Sequence, residues 1–240
     1  MPRKRHTRLV SQPTPISIQE ILYTTRAMRR LRTDAVPDAV IARILDSGLR
    51  APSGGNTQDW RFMIVTDRDK IAAIAPLYQA GLSQLFEGHY KQANAATRAA
   101  MASGTADRRT AQLGRVLDSS EHLAAHFADV PLLVFGYLTS RENAGSIWPA
   151  LWSMCLAARA EGVGSTVTTI LEMFAAKEVD EILGVPDGSG FYRHACLPMG
   201  YPTGRWGVPD RKPVSKVVYH NTWGTPPAFA PSEPLWSPHE

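Results

Sequence analysis

Hydrophobic positions recur at helical spacing in some stretches of the chain and bunch into short unbroken runs in others. Ser17 and Glu20 form a capping box, and Ile18, Ile21, Leu22 and Met28 continue at helical spacing, which predicts a first helix to about Arg30. Pro37 and Asp38 suit the opening turn of a second helix, whose Ile41, Ile44, Leu45 and Leu49 form one apolar stripe. The small polar run Ala51-Pro52-Ser53-Gly54-Gly55-Asn56 ends it as a loop. Residues 60–66 and 131–137 are aromatic and β-branched, and both predict largely buried strands. Between them, residues 68–129 are rich in Ala, Gln, Leu and Arg, which predicts a helical excursion with breaks near Gly81, Gly88 and Ser103-Gly104. Ser146 opens a further helix, with Pro149 tolerated in its first turn, that carries Leu151, Met154, Cys155 and Ala158 to a stop at Gly162. Residues 163–170 read as a third strand, 175–183 as a short helix closed by Gly184, 194–199 as a strand and 214–219 as extended chain.

The composition, 44% hydrophobic and 20% charged over 240 residues, excludes wholesale disorder. No apolar stretch approaches the roughly 18 residues of a membrane span, and the basic start leads into Ser11-Gln12-Pro13-Thr14-Pro15 rather than a signal-type apolar core, so the expected location is cytoplasmic. The net charge of +4 invites a nucleic-acid reading, but it belongs entirely to Arg3, Lys4, Arg5 and Arg8, which precede the first carboxylate, Glu20. The rest of the chain is electrically even. Residues 1–15 therefore read as a disordered basic tail with no specific nucleic-acid partner, and 224–240, with five prolines, as a Pro-rich C-terminal tail.

Motifs for phosphate loops, hydrolase elbows and metal centres are missing. Gly162-Val163-Gly164 lacks the third glycine of a dinucleotide turn and leaves a helix rather than entering one. Cys155 and Cys196 lie far apart with no ligand partners and read as small buried hydrophobes. His122 and His126 have i, i+4 spacing but no third ligand, so they read as surface or pocket-wall histidines and no metal is expected. Two polar segments remain. Arg26, Arg29, Arg30 and Arg32 repel one another unless an anion sits nearby. The loop Pro52 to Gln58 offers hydroxyl, amide and backbone N–H groups with nothing titratable, which suits holding a polar ligand rather than moving protons.

These segments, in order with Met199-Gly200-Tyr201-Pro202 and Arg211-Lys212-Pro213, resemble the FMN-dependent nitroreductase family over roughly residues 18–223. The resemblance implies an α+β fold: a mixed, mostly antiparallel sheet flanked by helices, with a helical excursion. It implies one FMN-binding domain at 16–223 and a homodimer with FMN at its interface. By the same resemblance, Arg26, Ala27 and Arg29 match the contacts to the FMN phosphate, ribityl chain and pyrimidine edge. Pro52, Ser53, Gly54, Asn56 and Gln58 match the loop that reaches FMN from the partner subunit, Thr168, Thr169 and Ile170 the segment beside the ring, and Arg211 a late phosphate ligand. Ala27 stands where many members have Ser, and Thr25 where many have a further Arg.

The implied activity is reduction of nitroaromatics, quinones or similar small electrophiles by NAD(P)H in a ping-pong hydride mechanism. Flavin N5 would carry the hydride, with no catalytic side chain. A flavin-cleaving or dehalogenating branch of the superfamily, or a flavin-binding protein without turnover, stays open beside it. Phe86, Tyr90, His122, His126 and Phe127 of the helical excursion are the expected walls of the substrate pocket.

Overall fold

The computed structural model describes residues 16–142 and 144–237, so the basic tail predicted at 1–15 lies outside the described residues. The described residues fall into two compact units, one formed by residues 16–26 with 205–237 and the other by 27–204.

In the first unit, helix α1 (Ile18–Thr24) begins as expected, with Ser17 Oγ accepting from the Glu20 N–H at 3.0 Å. It ends six residues before the predicted stop. Thr24 and Thr25 turn their hydroxyls back onto the carbonyls of Glu20 and Ile21 at 2.6 and 2.7 Å, and Thr25 has left helical geometry. β-Branched residues that satisfy carbonyls from the side chain favour such an exit. In the C-terminal part, Trp236 packs on Tyr23 with ring centroids 5.3 Å apart. The extended segment expected at 214–219 is instead a 3-10 turn at Val214–Lys216, because Pro213 sets the entry and the Val214 carbonyl takes the N–H groups of Val217 and Val218.

The second unit is built on a four-stranded sheet of order β1-β2-β4-β3, in which every strand pairing is antiparallel. The strands are β1 (Trp60–Val65), β2 (Leu132–Leu138), β3 (Gly164–Ser165) and β4 (Tyr192–Gly200). The mixed character of the sheet rests on one isolated parallel bridge, Ala27 to Ser165. Central β2 is buried along its whole length and packs on both faces. Leu132, Val134 and Leu138 face α2 (Asp38–Gly48) and α6 (Ile147–Ala160), whereas Leu133, Phe135 and Tyr137 face α3 (Arg68–Glu87), α7 (Ile170–Phe174) and α8 (Ala176–Leu183). The period of two along a strand makes that division.

The excursion is helical, as predicted: α3, α4 (Lys91–Ala102) and α5 (Arg108–Ala125), followed by a 3-10 turn at Phe127–Asp129. Breaks fall at Gly88 and at Ser103-Gly104, but not at Gly81, which lies inside α3. That glycine is there for closeness. A Cβ added to it would stand 2.7 Å from Ile170 Cγ2 and 3.3 Å from Phe174 Cβ. The Gly81→Ala variant should therefore lose about 1–3 kcal/mol through overpacking, against the roughly 1 kcal/mol that helix propensity alone would return. A denaturant melt reads the sign directly.

Two further expectations are corrected. Ala27 to Arg32 is extended rather than helical, because its N–H groups have better partners: Met28 donates to the Ser165 carbonyl at 2.9 Å and Arg32 to that of Tyr201 at 2.8 Å. The strand expected at 163–170 shrinks to β3 and a bridge from Thr168 to Cys196, and α7 begins at Ile170. Pro198 in β4 accepts from the Thr166 N–H but has no N–H to return, which interrupts the ladder.

Across β4, Arg193 fastens α7 and α8 to the sheet. Its side chain is 1% exposed and donates to Glu172 Oε1 at 2.9 Å, Asp180 Oδ1 at 2.8 Å and the Ala176 carbonyl at 2.9 Å. Tyr137 Oη donates to the same Asp180 oxygen at 3.2 Å.

Candidate functional site

The extended segment after α1 decides where the arginines go. In the second unit, Met28 is buried and Arg29 half-buried, while Arg30 points to solvent. Arg29 donates to Ser119 Oγ on α5 at 3.3 Å and has no ion-pair partner among the described residues. Burial holds its pKa below the ordinary guanidinium value, with Tyr78 working the other way. A half-buried cation without a counter-charge is costly unless something electron-rich lies against it.

Tyr78 is the residue that sequence reasoning missed. It sits on α3, 2% exposed, stacked on Phe127 at 4.2 Å between ring centroids. Its hydroxyl lies near the Thr168 side chain, and burial raises its pKa while Thr168 and Arg29 lower it. The available signal was a phenol set among Ile71, Ile74 and Leu82 in an apolar helical stripe, since a buried hydroxyl needs a partner.

Thr168 is buried and exchanges both backbone hydrogen bonds with Cys196 at 2.9 Å. Its Oγ1 also accepts from the Ile170 N–H at 3.4 Å, and Ile170 packs into the core beside Gly81. Thr169, between them, is half-buried. The structure thus brings Arg29, Ser119, Tyr78 and Thr168 into one polar cluster, with Thr169 and Ile170 anchored by the sheet.

The loop Pro52 to Gln58 forms a separate group. Gly54 donates its N–H to Ser146 Oγ at 3.2 Å, which ties the loop to the start of α6, and the Gln58 N–H reaches Ser53 Oγ at 3.1 Å. Gln58 Nε2 donates to Asn56 Oδ1 at 3.2 Å. Gly55, Asn56 and Gln58 all have positive φ, at 58°, 53° and 52°. Left-handed backbone at a non-glycine residue costs on the order of 1–3 kcal/mol, and such strain clusters where a loop is shaped to hold something. No hydrogen bond or ion pair joins this loop to Arg29 among the described residues.

Arg26 and Arg211 belong to the first unit, where Arg26 donates to the Arg205 carbonyl at 2.9 Å and Arg211 to that of Asp210 at 2.9 Å. Of the expected pocket walls, Phe86 is half-buried against the core and Tyr90 is exposed beside His89. His122 and His126 lie at the end of α5 with ring centroids 4.4 Å apart. Phe127 is fully buried, so its place is in the core and not in a pocket wall. Among the described residues there is no group of metal-ligating side chains, and no helix is long and apolar enough to cross a membrane.

The chain is 27% identical over 203 residues to an NADH dehydrogenase of Thermus thermophilus, covering 80% of this chain and 90% of the relative. It is 25% identical over 213 residues to the 5,6-dimethylbenzimidazole synthase of Rhodobacter capsulatus, covering 86% and 90%. The fold matches a crystal structure of oxidized iodotyrosine deiodinase bound to FMN and 3-iodo-L-tyrosine with a TM-score of 0.65, at 22% identity, over 85% of this chain and 98% of that one. The sequence pattern of the Nitroreductase family matches residues 22–201, three quarters of the chain, and the α+β fold with its antiparallel sheet agrees: the chain belongs to the nitroreductase family.

Proposed function

We propose that the chain binds FMN and uses NAD(P)H to reduce small electrophiles such as nitroaromatics, quinones or activated alkenes. The observation that carries this reading is Arg29, a half-buried cation with no acidic partner among the described residues, held by Ser119 beside the Tyr78–Thr168 pair. Such a donor set fits a flavin, whose pyrimidine edge is rich in acceptors and gains negative charge on reduction. Bound FMN supplies hydride chemistry that none of these side chains can perform. Arg29 would hold positive charge against the pyrimidine edge, and Thr168 to Ile170, fixed by β4, would flank the ring.

The working form is a homodimer on this reading. The strained loop at Ser53, Gly54, Asn56 and Gln58 points no donor at Arg29 within one chain and would serve the partner's cofactor. It adjoins the start of α6, where Trp148 and Trp152, one turn apart, remain 40% and 46% exposed. Two indoles on one helical face are an apolar surface that a second copy would cover.

The test is spectroscopic and kinetic. Purified protein should be yellow with one FMN per chain, lose that colour on anaerobic addition of NADH or NADPH, and regain it with a nitroaromatic. If donor and acceptor take one place in turn, initial-rate plots at several acceptor concentrations run parallel, and intersecting plots would overturn the single-site scheme. Arg29→Ala should weaken FMN binding by about 1.5–3 kcal/mol, the scale of a hydrogen bond to a charged group. The resemblance predicts the same of Arg211→Ala, measured separately. A colourless protein that takes up no added FMN would refute the reading.

A further inference from the structure

We propose that Glu172 is a positioning residue of the flavin site: its contact with Arg193 fixes α7 and, through it, the Thr168 to Ile170 segment, so that the fit of that segment to the flavin follows the charge on Glu172. This rests on the flavin reading and adds a regulation of the same site.

Helix α7 does not hold its place by itself. Its five residues, Ile170–Phe174, fall well short of the roughly 12 at which an isolated helix becomes even marginal, so tertiary contacts set where it sits. At its front, Thr168 exchanges both backbone hydrogen bonds with Cys196 at 2.9 Å. Four residues on, Glu172 Oε1 accepts from Arg193 Nε at 2.9 Å, and the same guanidinium donates to the Ala176 carbonyl at 2.9 Å, just beyond the end of α7. Both anchors come from β4. A register shift between Gly136 and Tyr137 leaves His194 without an opposite residue, so Arg193 and Cys196, three positions apart, face the same helices, and re-aiming a side chain next to a site is what such bulges do. Leu171, fully buried, and Ile170, in the room beside Gly81, fill the space between the anchors.

Glu172 holds this position better neutral than charged. Its side chain is 10% exposed, and Oε2 is buried with no hydrogen-bond partner among the described residues. The titratable groups around it are Arg193 and Cys196 of β4, Asp180 of α8, and Tyr78 of α3, while Tyr137 of β2 is engaged with Asp180. Arg193 supplies the positive charge, but it is divided between two carboxylates and a carbonyl. Ionisation therefore leaves a charged oxygen buried without a donor, which is costly, and α7 relieves the cost by moving away from the sheet far enough to admit water. That movement releases Thr169 and Ile170 from their places. Burial pushes the Glu172 pKa up to about 7, so the ordered arrangement is present below that pH and lost above it.

The test follows oxidised FMN on the full chain by visible circular dichroism and by its dissociation constant across neutral pH, in the unsubstituted protein and in Glu172→Gln. In the unsubstituted protein the dichroic band should titrate as one proton with a midpoint near 7, and FMN affinity should fall by up to about tenfold from about pH 6 to 8. In Glu172→Gln both readouts should be flat, apart from titrations of the FMN phosphate and the histidines that the two proteins share. A purely structural Glu172 would lower the variant's melting temperature and leave the two pH profiles alike, which overturns the inference. So does a flat profile in the unsubstituted protein with FMN bound, and neither result touches the flavin reading. Protein that takes up no FMN refutes that reading and this inference together. If Glu172→Gln does not fold, hydrogen exchange in the unsubstituted protein decides at the Met173 and Ala175 N–H groups, which bond to the Thr169 and Leu171 carbonyls. Their protection, corrected for base catalysis, should fall about tenfold from about pH 6 to 8, and constant protection overturns the inference.

Discussion

Replacing Arg193 by alanine is expected to cost about 3–5 kcal/mol of folding stability, the usual penalty for removing one partner of a buried charged group. The guanidinium is 1% exposed and serves Glu172, Asp180 and the Ala176 carbonyl together, so the variant strands two carboxylates at the junction of α7, α8 and β4. Glu172 is already strained electrostatically. Its Oε2 is buried without a hydrogen-bond partner, and burial pushes its pKa up to about 7 from the ordinary 4.5, against the opposing pull of Arg193. The sign of the pH dependence follows. Between about pH 4.5 and 7 the folded chain holds a proton on Glu172 that the unfolded chain has released, so this carboxyl's contribution is present at acid pH and is lost as pH rises toward 7. Glu172→Gln, which cannot ionise, should flatten that part of the profile. In Arg193→Ala the loss should be larger above pH 7 than below pH 5, because at acid pH protonation relieves the buried carboxyl. Urea midpoints across pH measure both variants, and a loss below about 1 kcal/mol for Arg193→Ala would mean that the cluster is solvated rather than buried.

The second large effect concerns Phe127. Its ring is fully buried and stacks on Tyr78, so Phe127→Ala should remove about 3–5 kcal/mol, combining lost transfer energy with the cavity left behind. The same change should loosen the Tyr78 hydroxyl from Thr168, since the ring that positions the phenol would be gone. Tyr90→Ala on the exposed turn before α4 should stay within about 0.5 kcal/mol. Thermal melts of the two variants separate these roles. If Phe127→Ala kept its stability and shifted only acceptor preference, Phe127 would be a pocket wall after all.

Legibility in the sequence divides along a physical line. The capping box at Ser17, the stripe of α2, the buried runs that became β1 and β2, and the stop at Gly184 were all readable, because each is set by neighbours a few residues away. So were the polar loop at Ser53 to Gln58 and the excess of arginine after α1. The family pattern matched over residues 22–201 gave those segments their order and meaning.

Tertiary structure alone decided the rest, wherever a residue's best partner lies far along the chain. Met28 left a helical pattern because the Ser165 carbonyl was on offer, and Gly81 stayed in a helix because Ile170 needed the room a side chain would fill. The predicted third strand was cut short by the missing N–H of Pro198, a residue about thirty positions further on. Tyr78 looked like one more apolar position until packing set its hydroxyl against Thr168, and Arg193 like an ordinary strand residue until α7 and α8 closed over it. The sequence by itself determined most of the local helices, strands and loops, and that arginines cluster after α1, because spacing and charge are local quantities. Which of the clustered arginines turns inward and which stays free was decided by sheet pairing across the fold, since an extended chain sends neighbouring side chains to opposite sides where a helix would have kept them within one turn.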